Sequence, residues 1–512
     1  MTVAVIMATG WDGGGPDPGP AAVLPCGGDP HRADGAAAEA PTLLTRLCEQ
    51  LARLNVPDPV IVTRPEMAPA LHKDGHFVLE SESPADDLRE VALIARRVGE
   101  PVLVLPGDVV LGPELLRRLV LDGPALDGLA LDGDAPVTAV TVPLDGAYGT
   151  VPVRRSVGRI VAAGSPYHRV TAPDAASPGV LRVAADRTDV LARLAGELAD
   201  FLDAPGVFPP TPVEADAVHL LLVGLVRSGL PVRDCGDPGL PCPRVDRAVA
   251  AVAACEAVDG ADEERVRLAA AVKPDDGFVA TFAVAPYSRY IVRWAARRGL
   301  TPTTVTWMSL GMAALAAIWF AAGTRTGMVA GAVLLYAAFV LDCVDGQLAR
   351  FTRRRSALGA WLDVLLDRMK EYGVYAGLAV GAIAAGHGSR AMWGLAVGAM
   401  ALQTLRHTLD FSFASRPRQH GERPVPQRIT SLTVPDDGPL ERPPVPRGRL
   451  RRWAGKIVAL PIGERFALIA VTAALADARV TFVALLAWGG LALVSRLAGR
   501  VFIRRTRRAG AR

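Results

Sequence analysis

Between positions 341 and 367 the chain reads LDCVDGQLARFTRRRSALGAWLDVLLD, and the runs on either side are apolar enough to cross a bilayer. Four carboxylates, Asp342, Asp345, Asp363 and Asp367, therefore fall in or beside segments where charge is costly and needs a function or a partner. Their spacing narrows what the chain can fold into. Asp342 and Asp345 are i, i+3 and Asp363 and Asp367 are i, i+4, so on helices each pair projects from one face. Two such helices facing one another put all four carboxylates around one point. That is a hard-oxygen site suited to Mg²⁺ or Mn²⁺ bound together with phosphates. The plainer alternative, two helix ends with solvated charges, offers no reason for the spacing.

The stretch carries the pattern D-x2-D-G-x2-A-R-x8-G-x3-D-x3-D at Asp342, Asp345, Gly346, Ala349, Arg350, Gly359, Asp363 and Asp367, with no position missing. On this motif it resembles the CDP-alcohol phosphatidyltransferases. The resemblance implies an integral membrane enzyme that moves a substituted phosphate from a CDP-alcohol to an acceptor hydroxyl and releases CMP, in phospholipid or polyol-phosphodiester synthesis. It implies Asp342, Asp345 and Asp363 as ligands of Mg²⁺ or Mn²⁺, and Asp367 as general base and further ligand. Asp342, Asp345, Gly346, Ala349, Arg350 and Gly359 would meet the CDP moiety. Gly346 and Ala349 lack bulk, so a nucleotide can approach the helix backbone, and Arg350 suits a phosphate oxygen. Gly359 is expected to let two helices pack closely; a helix-end glycine is the bland reading of Gly346 and Gly359 alike. Where the family's acceptor is a phosphorylated polyol, basic residues of later helices bind its phosphate. Arg465 and then Arg406 are the candidates here, with headgroup anchoring as the alternative, and His407 reads as an interfacial residue. The family's habit of pairing through its spans implies a homodimer within membrane lipid.

Half of the 512 residues are hydrophobic, and the net charge of +4 gives no global attraction to nucleic acid. Six spans are expected, at about 304–323, 327–344, 358–384, 391–413, 463–478 and 480–499, each near the roughly 20 residues a bilayer needs, though the second and fifth are short and the third is longer and should extend into the cytosol at its start. Arginines crowd the ends that would share one side: Arg289, Arg293, Arg297 and Arg298, then Arg350, Arg353, Arg354 and Arg355, then 416–452, then 500–508. Only Arg325, Arg390 and Arg479 mark the other loops. The bias places both termini and the motif in the cytoplasm at the inner or plasma membrane. The Pro-rich loop 415–447 reads as irregular. Before the first span, Arg289, Arg293 and Arg297 recur every four residues beside Ile291 and Trp294, an amphipathic helix suited to the membrane surface or to any polar surface.

Residues 1–250 read as a soluble α/β domain with a mostly parallel sheet, followed by a linker and surface helix over 251–302 and the transmembrane all-α domain over 303–512. Strands are expected at 3–7, 60–63 and 102–105, and helices at 42–54 and 86–98. A Gly- and Pro-rich loop over 10–38 follows the first strand, where ligands of such sheets bind. Asp108 lies just past a strand end. The layout resembles glycosyltransferase-A-like nucleotidyltransferases, in which an aspartate there often holds metal; an ordinary turn residue is the equal alternative. The loop has no basic residue before His31 and Arg32, so a triphosphate would lack a cation. The domain therefore reads as a non-catalytic relic, with a working cytidylyltransferase or another α/β domain as alternatives. The segment with Lys273, Asp276 and Gly277 partly resembles fusions of such a domain to this transferase, which make inositol phosphodiesters. A rival reading makes the whole chain a membrane-anchored nucleotide-binding or regulatory module without catalysis. The six cysteines form no CxxC pair and suggest no disulfide framework, hence a reducing compartment.

Overall fold

The computed structural model describes residues 2–13, 19–26, 41–56, 58–72, 76–121, 136–204, 216–273, 277–354, 356–386, 388–414, 453 and 457–509. His31, Arg32, Asp276 and the loop 415–447 lie outside them. The described residues form two compact units, one within Met1–Val266 and one within Arg267–Gln419 and Pro444–Arg512.

The first unit is built on strands β1 (Val3–Ala8), β2 (Val60–Thr63), β3 (Val78–Glu80), β4 (Val102–Pro106), β5 (Val137–Ala139), β6 (Val151–Ser156), β7 (Arg159–Ala163), β8 (Ala175–Ser177), β9 (Leu181–Val183) and β10 (Val232–Asp234). Its helices are α1 (Leu43–Ala52), α2 (Ala68–His72), α3 (Pro84–Arg97), α4 (Pro113–Val120), α5 (Thr188–Asp203), α6 (Ala217–Arg227) and α7 (Ala248–Asp259). The sheet runs β3-β2-β1-β4-β9-β5-β10-β7-β6-β8. Strands β1 to β4 pair in parallel, and their apolar runs are covered on both faces, by α3, α5 and α6 on one side and α1, α2 and α4 on the other. Beyond β4 the expected mostly parallel sheet gives way to a mixed one, because β9 inserts antiparallel between β4 and β5, and β6, β7 and β8 pair antiparallel. Those strands are short and joined by local turns, which favour antiparallel pairing. Helix α3 shows why the helices stop and start where they do. Ser83 accepts from Asp86 N, Pro84 opens the first turn with Asp86 and Asp87, and Arg96 and Arg97 close the last.

Cys26 and Cys255 are joined by a disulfide with Cα atoms 5.9 Å apart, which ties the loop after β1 to α7. This corrects the expectation of free thiols. The partners stand 229 residues apart, so no local spacing could have announced them.

The second unit holds α8 (Glu263–Ala271, which begins in the first), α9 (Ala285–Arg297), α10 (Pro302–Ala321), α11 (Arg325–Phe351), α12 (Ala357–Ala384), α13 (Ser389–Ala414), α14 (Ile462–Leu475) and α15 (Ala478–Ala509). Among the described residues, three helices are long and apolar enough to cross a membrane, over Pro302–Ala321, Arg325–Phe351 and Ala478–Ala498. Helix α12 is as long, but Asp363, Asp367, Arg368, Lys370 and Glu371 interrupt its apolar run. Helices α10 and α12 cross closely at Gly377 and Gly381. A Cβ at these positions would lie 2.3 Å from Ala317 O and 1.9 Å from Phe320 O, so only glycine fits. On α9, Tyr290 and Trp294 are exposed while Ser288, Val292 and Ala295 are buried, as its amphipathic pattern requires.

Candidate functional site

The motif folds into the end of α11, a turn and the start of α12. Helix α11 runs past Asp342 and Asp345 to Phe351, Arg353 takes a φ of 55°, and Ser356 caps α12 by accepting from Gly359 N. The eight-residue gap is thus the length needed to turn the chain back, and it brings Asp363 opposite Asp345. One oxygen from each of Asp342, Asp345 and Asp363 lies within 4.8 Å of the others. Asp345 is buried, and its Oδ2 has no hydrogen-bond partner among the described residues. A buried carboxylate oxygen without a donor is costly, and a divalent cation satisfies it. The donor set is all oxygen, as Mg²⁺ or Mn²⁺ requires. The residues present therefore fit such an ion.

Asp367 lies one turn beyond Asp363, beside a residue the motif does not contain. Lys370 is 2% exposed, and its Nζ lies 2.8 Å from Asp367 Oδ1, bonds Asp342 Oδ1 and donates to Ser309 Oγ at 3.3 Å. Its signal in the sequence is a lone lysine three residues past Asp367, which by itself reads as an ordinary polar position.

The remaining motif residues fall around this cluster. Arg350 Nε donates to Ala271 O at 2.5 Å, and a Cβ on Gly346 would come no nearer than 3.5 Å, to the guanidinium of Arg350. Among the described residues, the one atom a Cβ on Gly359 would meet is the Oγ of its own cap, Ser356, so no helix packs against it there. The close crossing falls at Gly377 and Gly381 instead.

Arg465 and Arg406 lie buried together. Arg465 Nε donates to Glu371 Oε1 at 2.9 Å and Nη1 to Leu460 O at 3.0 Å, and Arg406 Nη2 donates to the same carbonyl at 3.2 Å. Glu371 is fully buried and also accepts from Tyr375 OH at 2.7 Å. Both guanidinium groups line one small pocket with Tyr375, Gln403 and Leu460. His407 is bonded to Arg368, and its Nε2 lies 2.6 Å from the side-chain amide of Gln403, whose oxygen accepts from it.

In the first unit, Asp108 sits past β4, as expected, but it is buried against Arg244. The guanidinium holds it with two bonds, Nε to Oδ1 at 2.8 Å and Nη2 to Oδ2 at 2.9 Å, and reaches Asp216 Oδ2 through Nη1 at 2.5 Å. Burial pushes the Asp216 carboxyl up, and Arg244 outweighs it, leaving the group well below the usual carboxylate range. Burial drives the neighbouring His219 imidazole down to about 4. Arg244 lies 136 residues from Asp108, in a segment with no motif, so nothing in the sequence paired them.

Convergent carboxylates with a buried, unpartnered oxygen are a donor set that fits a divalent ion. Residues 300–433 match the model of the family described as CDP-alcohol phosphatidyltransferase. An archaetidylinositol phosphate synthase of Pyrococcus horikoshii is 34% identical over 85 residues, 17% of this chain and 44% of that protein. A phosphatidylinositol phosphate synthase of Streptomyces avermitilis is 32% identical over 101 residues, 20% of this chain and 38% of that protein. The chain thus spans less than half the length of either relative. Among solved structures, the inositol-1-phosphate CTP transferase from T. maritima aligns with a TM-score of 0.32 and 14% identity, over 51% of this chain and 97% of that one.

Proposed function

We propose that the chain is an integral membrane transferase that moves the substituted phosphate of a CDP-alcohol onto an acceptor hydroxyl and releases CMP. The observation that carries this is the convergence of Asp342, Asp345 and Asp363 from two helices, with Asp345 Oδ2 buried and unpartnered. These three residues hold Mg²⁺ or Mn²⁺, and Asp367 borders the same cluster. The ion supplies charge neutralisation at the donor's phosphates. Asp367 serves the acceptor hydroxyl, with Lys370 Nζ 2.8 Å from its Oδ1. The hydroxyl oxygen bonds to phosphorus, its proton passes to Asp367, and the bond to the CMP oxygen breaks with its electron pair on CMP. Gly346 and Ala349 leave the helix surface open to the nucleotide, and Arg350 stands at its phosphates. Six helices, α10 to α15, span the membrane in this reading, with the motif and both termini on the cytoplasmic side, the side that the arginine bias favours.

The acceptor is a phosphorylated polyol, of the class that the inositol phosphate synthases in the two relatives' names suggest. Arg406 and Arg465 serve its phosphate, and their shared pocket supports this. The soluble unit acts as a nucleotidyltransferase-like module without catalysis of its own, because Arg244 spends both oxygens of Asp108.

A matrix of labelled CDP-alcohols against acceptors, in Mg²⁺, tests the transfer by CMP release. Release is expected with at least one pair that includes a phosphorylated polyol; none with any pair overturns the reading. Arg465→Gln is expected to raise the acceptor KM by roughly 10- to 100-fold, the loss of a charged hydrogen bond, while the donor KM stays put. Unchanged constants in a less stable protein would make Arg465 a partner of Glu371 alone.

A further inference from the structure

Lys370 draws its anchors from three helices: Ser309 on α10, Asp342 on α11 and Asp367 on its own α12. Nζ donates to Ser309 and Asp342 and forms an ion pair with Asp367 Oδ1 at 2.8 Å, so three polar groups enclose the ammonium. The carboxylates divide into two groups that share Asp342. Asp342, Asp345 and Asp363 converge on one point, where Asp345 Oδ2 lacks a donor. Asp342 and Asp367 converge on Nζ. This is the layout of a two-ion site, in which a shared ligand bridges cations about 3.5–4 Å apart, with an ammonium at one of the two positions.

We propose that Lys370 is a positioning residue that stands where a second cation would sit, so that the site takes a single divalent ion on Asp342, Asp345 and Asp363. The inference rests on the transfer reading only for the identity of the site. Charge supports it. Four carboxylates and one ammonium leave three negative charges, which one divalent ion reduces to one. A second ion would crowd the ammonium. Burial supports it as well, because an ammonium this enclosed has no water to move to and holds its place against a competing ion. Lys370 thereby sets the distance between Asp342 and Asp367, and keeps Asp367 clear of metal.

The test is Mn²⁺ binding to the full-length protein in detergent, followed by equilibrium dialysis and by electron paramagnetic resonance. Wild type is expected to bind one Mn²⁺ per chain with the spectrum of an isolated ion, lost in Asp345→Asn. Lys370→Met is expected to admit a second ion and give an exchange-coupled pair, and Lys370→Arg to stay at one. A coupled pair in wild type, no binding in wild type, or Lys370→Met remaining at one ion would each overturn the proposal. Should Lys370→Met not fold, the wild-type spectrum alone decides between one ion and two. The outcome is separable from the transfer reading: failed CMP release with one isolated ion sinks the transfer and leaves Lys370, whereas CMP release from a coupled pair does the reverse.

Discussion

Each half of the chain buries aspartates against one basic side chain, and the two balances are opposite. In the α/β unit, one guanidinium meets two carboxylates and makes three bonds to them, taking both oxygens of Asp108. In the helical unit, one ammonium meets Asp342 and Asp367, while Asp345 and Asp363 remain and Asp345 Oδ2 is left without a donor. The first cluster is saturated and the second is short of cations. An aspartate at a strand end or on a helix is therefore no metal site by virtue of its position. What matters is whether the protein's own cations leave an oxygen over. Arginine is the more effective blocker, because its planar fork engages a carboxylate with two parallel bonds.

The comparison breaks or sharpens first at the helical cluster. Asp345→Asn is expected to abolish metal-dependent donor binding and turnover together, since it removes the oxygen that seeks a cation. Asp367→Asn is expected to keep metal and donor binding while turnover falls by roughly 10²–10⁴-fold, the usual share of a general base. Donor titration in Mg²⁺ beside a single-turnover assay separates them. If Asp367→Asn loses donor binding as completely as Asp345→Asn, Asp367 is a metal ligand first, and Lys370 does not shield it.

The saturated cluster should respond in stability and not in turnover. Arg244→Ala leaves Asp108 and Asp216 buried without their cation, a change that typically costs about 3–5 kcal/mol. Denaturant unfolding of the full chain would show this as an early transition of the α/β unit, with CMP release unaltered. A CTP-dependent release of pyrophosphate by the wild-type chain with an alcohol phosphate would instead show that the cluster is catalytic.

The smallest effect is in pH. His219 has its imidazole lowered to about 4 from an ordinary 6.5, so its stabilising contribution is complete above 6.5 and is lost as pH falls toward 4. Asp216 is depressed too, and its contribution is lost further down, as pH falls through its folded value. Both signs point to acid lability of the α/β unit, worth roughly 3 kcal/mol for His219. His219→Gln should flatten the stability profile between pH 6.5 and 4. A profile with the same slope would assign the acid loss to other groups.

Local pattern carried much of this protein. The apolar runs of β1, β2 and β4 and the capped period of α3 were legible because strand and helix formation depends on neighbours in the chain. The four aspartates and the gap between their pairs were legible for the same reason: a helix end, a turn and a capped helix start occupy a nearly fixed length, so spacing stands in for geometry. Gly377 and Gly381 were not, because a close crossing depends on which backbone lies opposite, and Gly359 in the motif drew the expectation to the wrong helix end. The antiparallel insertion of β9, the bond between Cys26 and Cys255, and the pairings of Arg244 with Asp108 and of Arg465 with Glu371 all join residues far apart in sequence. Lys370 is the sharpest case. It is only three residues from Asp367, yet its meaning depends on Asp342 and Ser309 from two other helices. The sequence by itself determined where carboxylates could gather. Only the tertiary structure decided how many of their charges were already met, because charge compensation at a buried site is set by distance through space, to which separation along the chain is no guide.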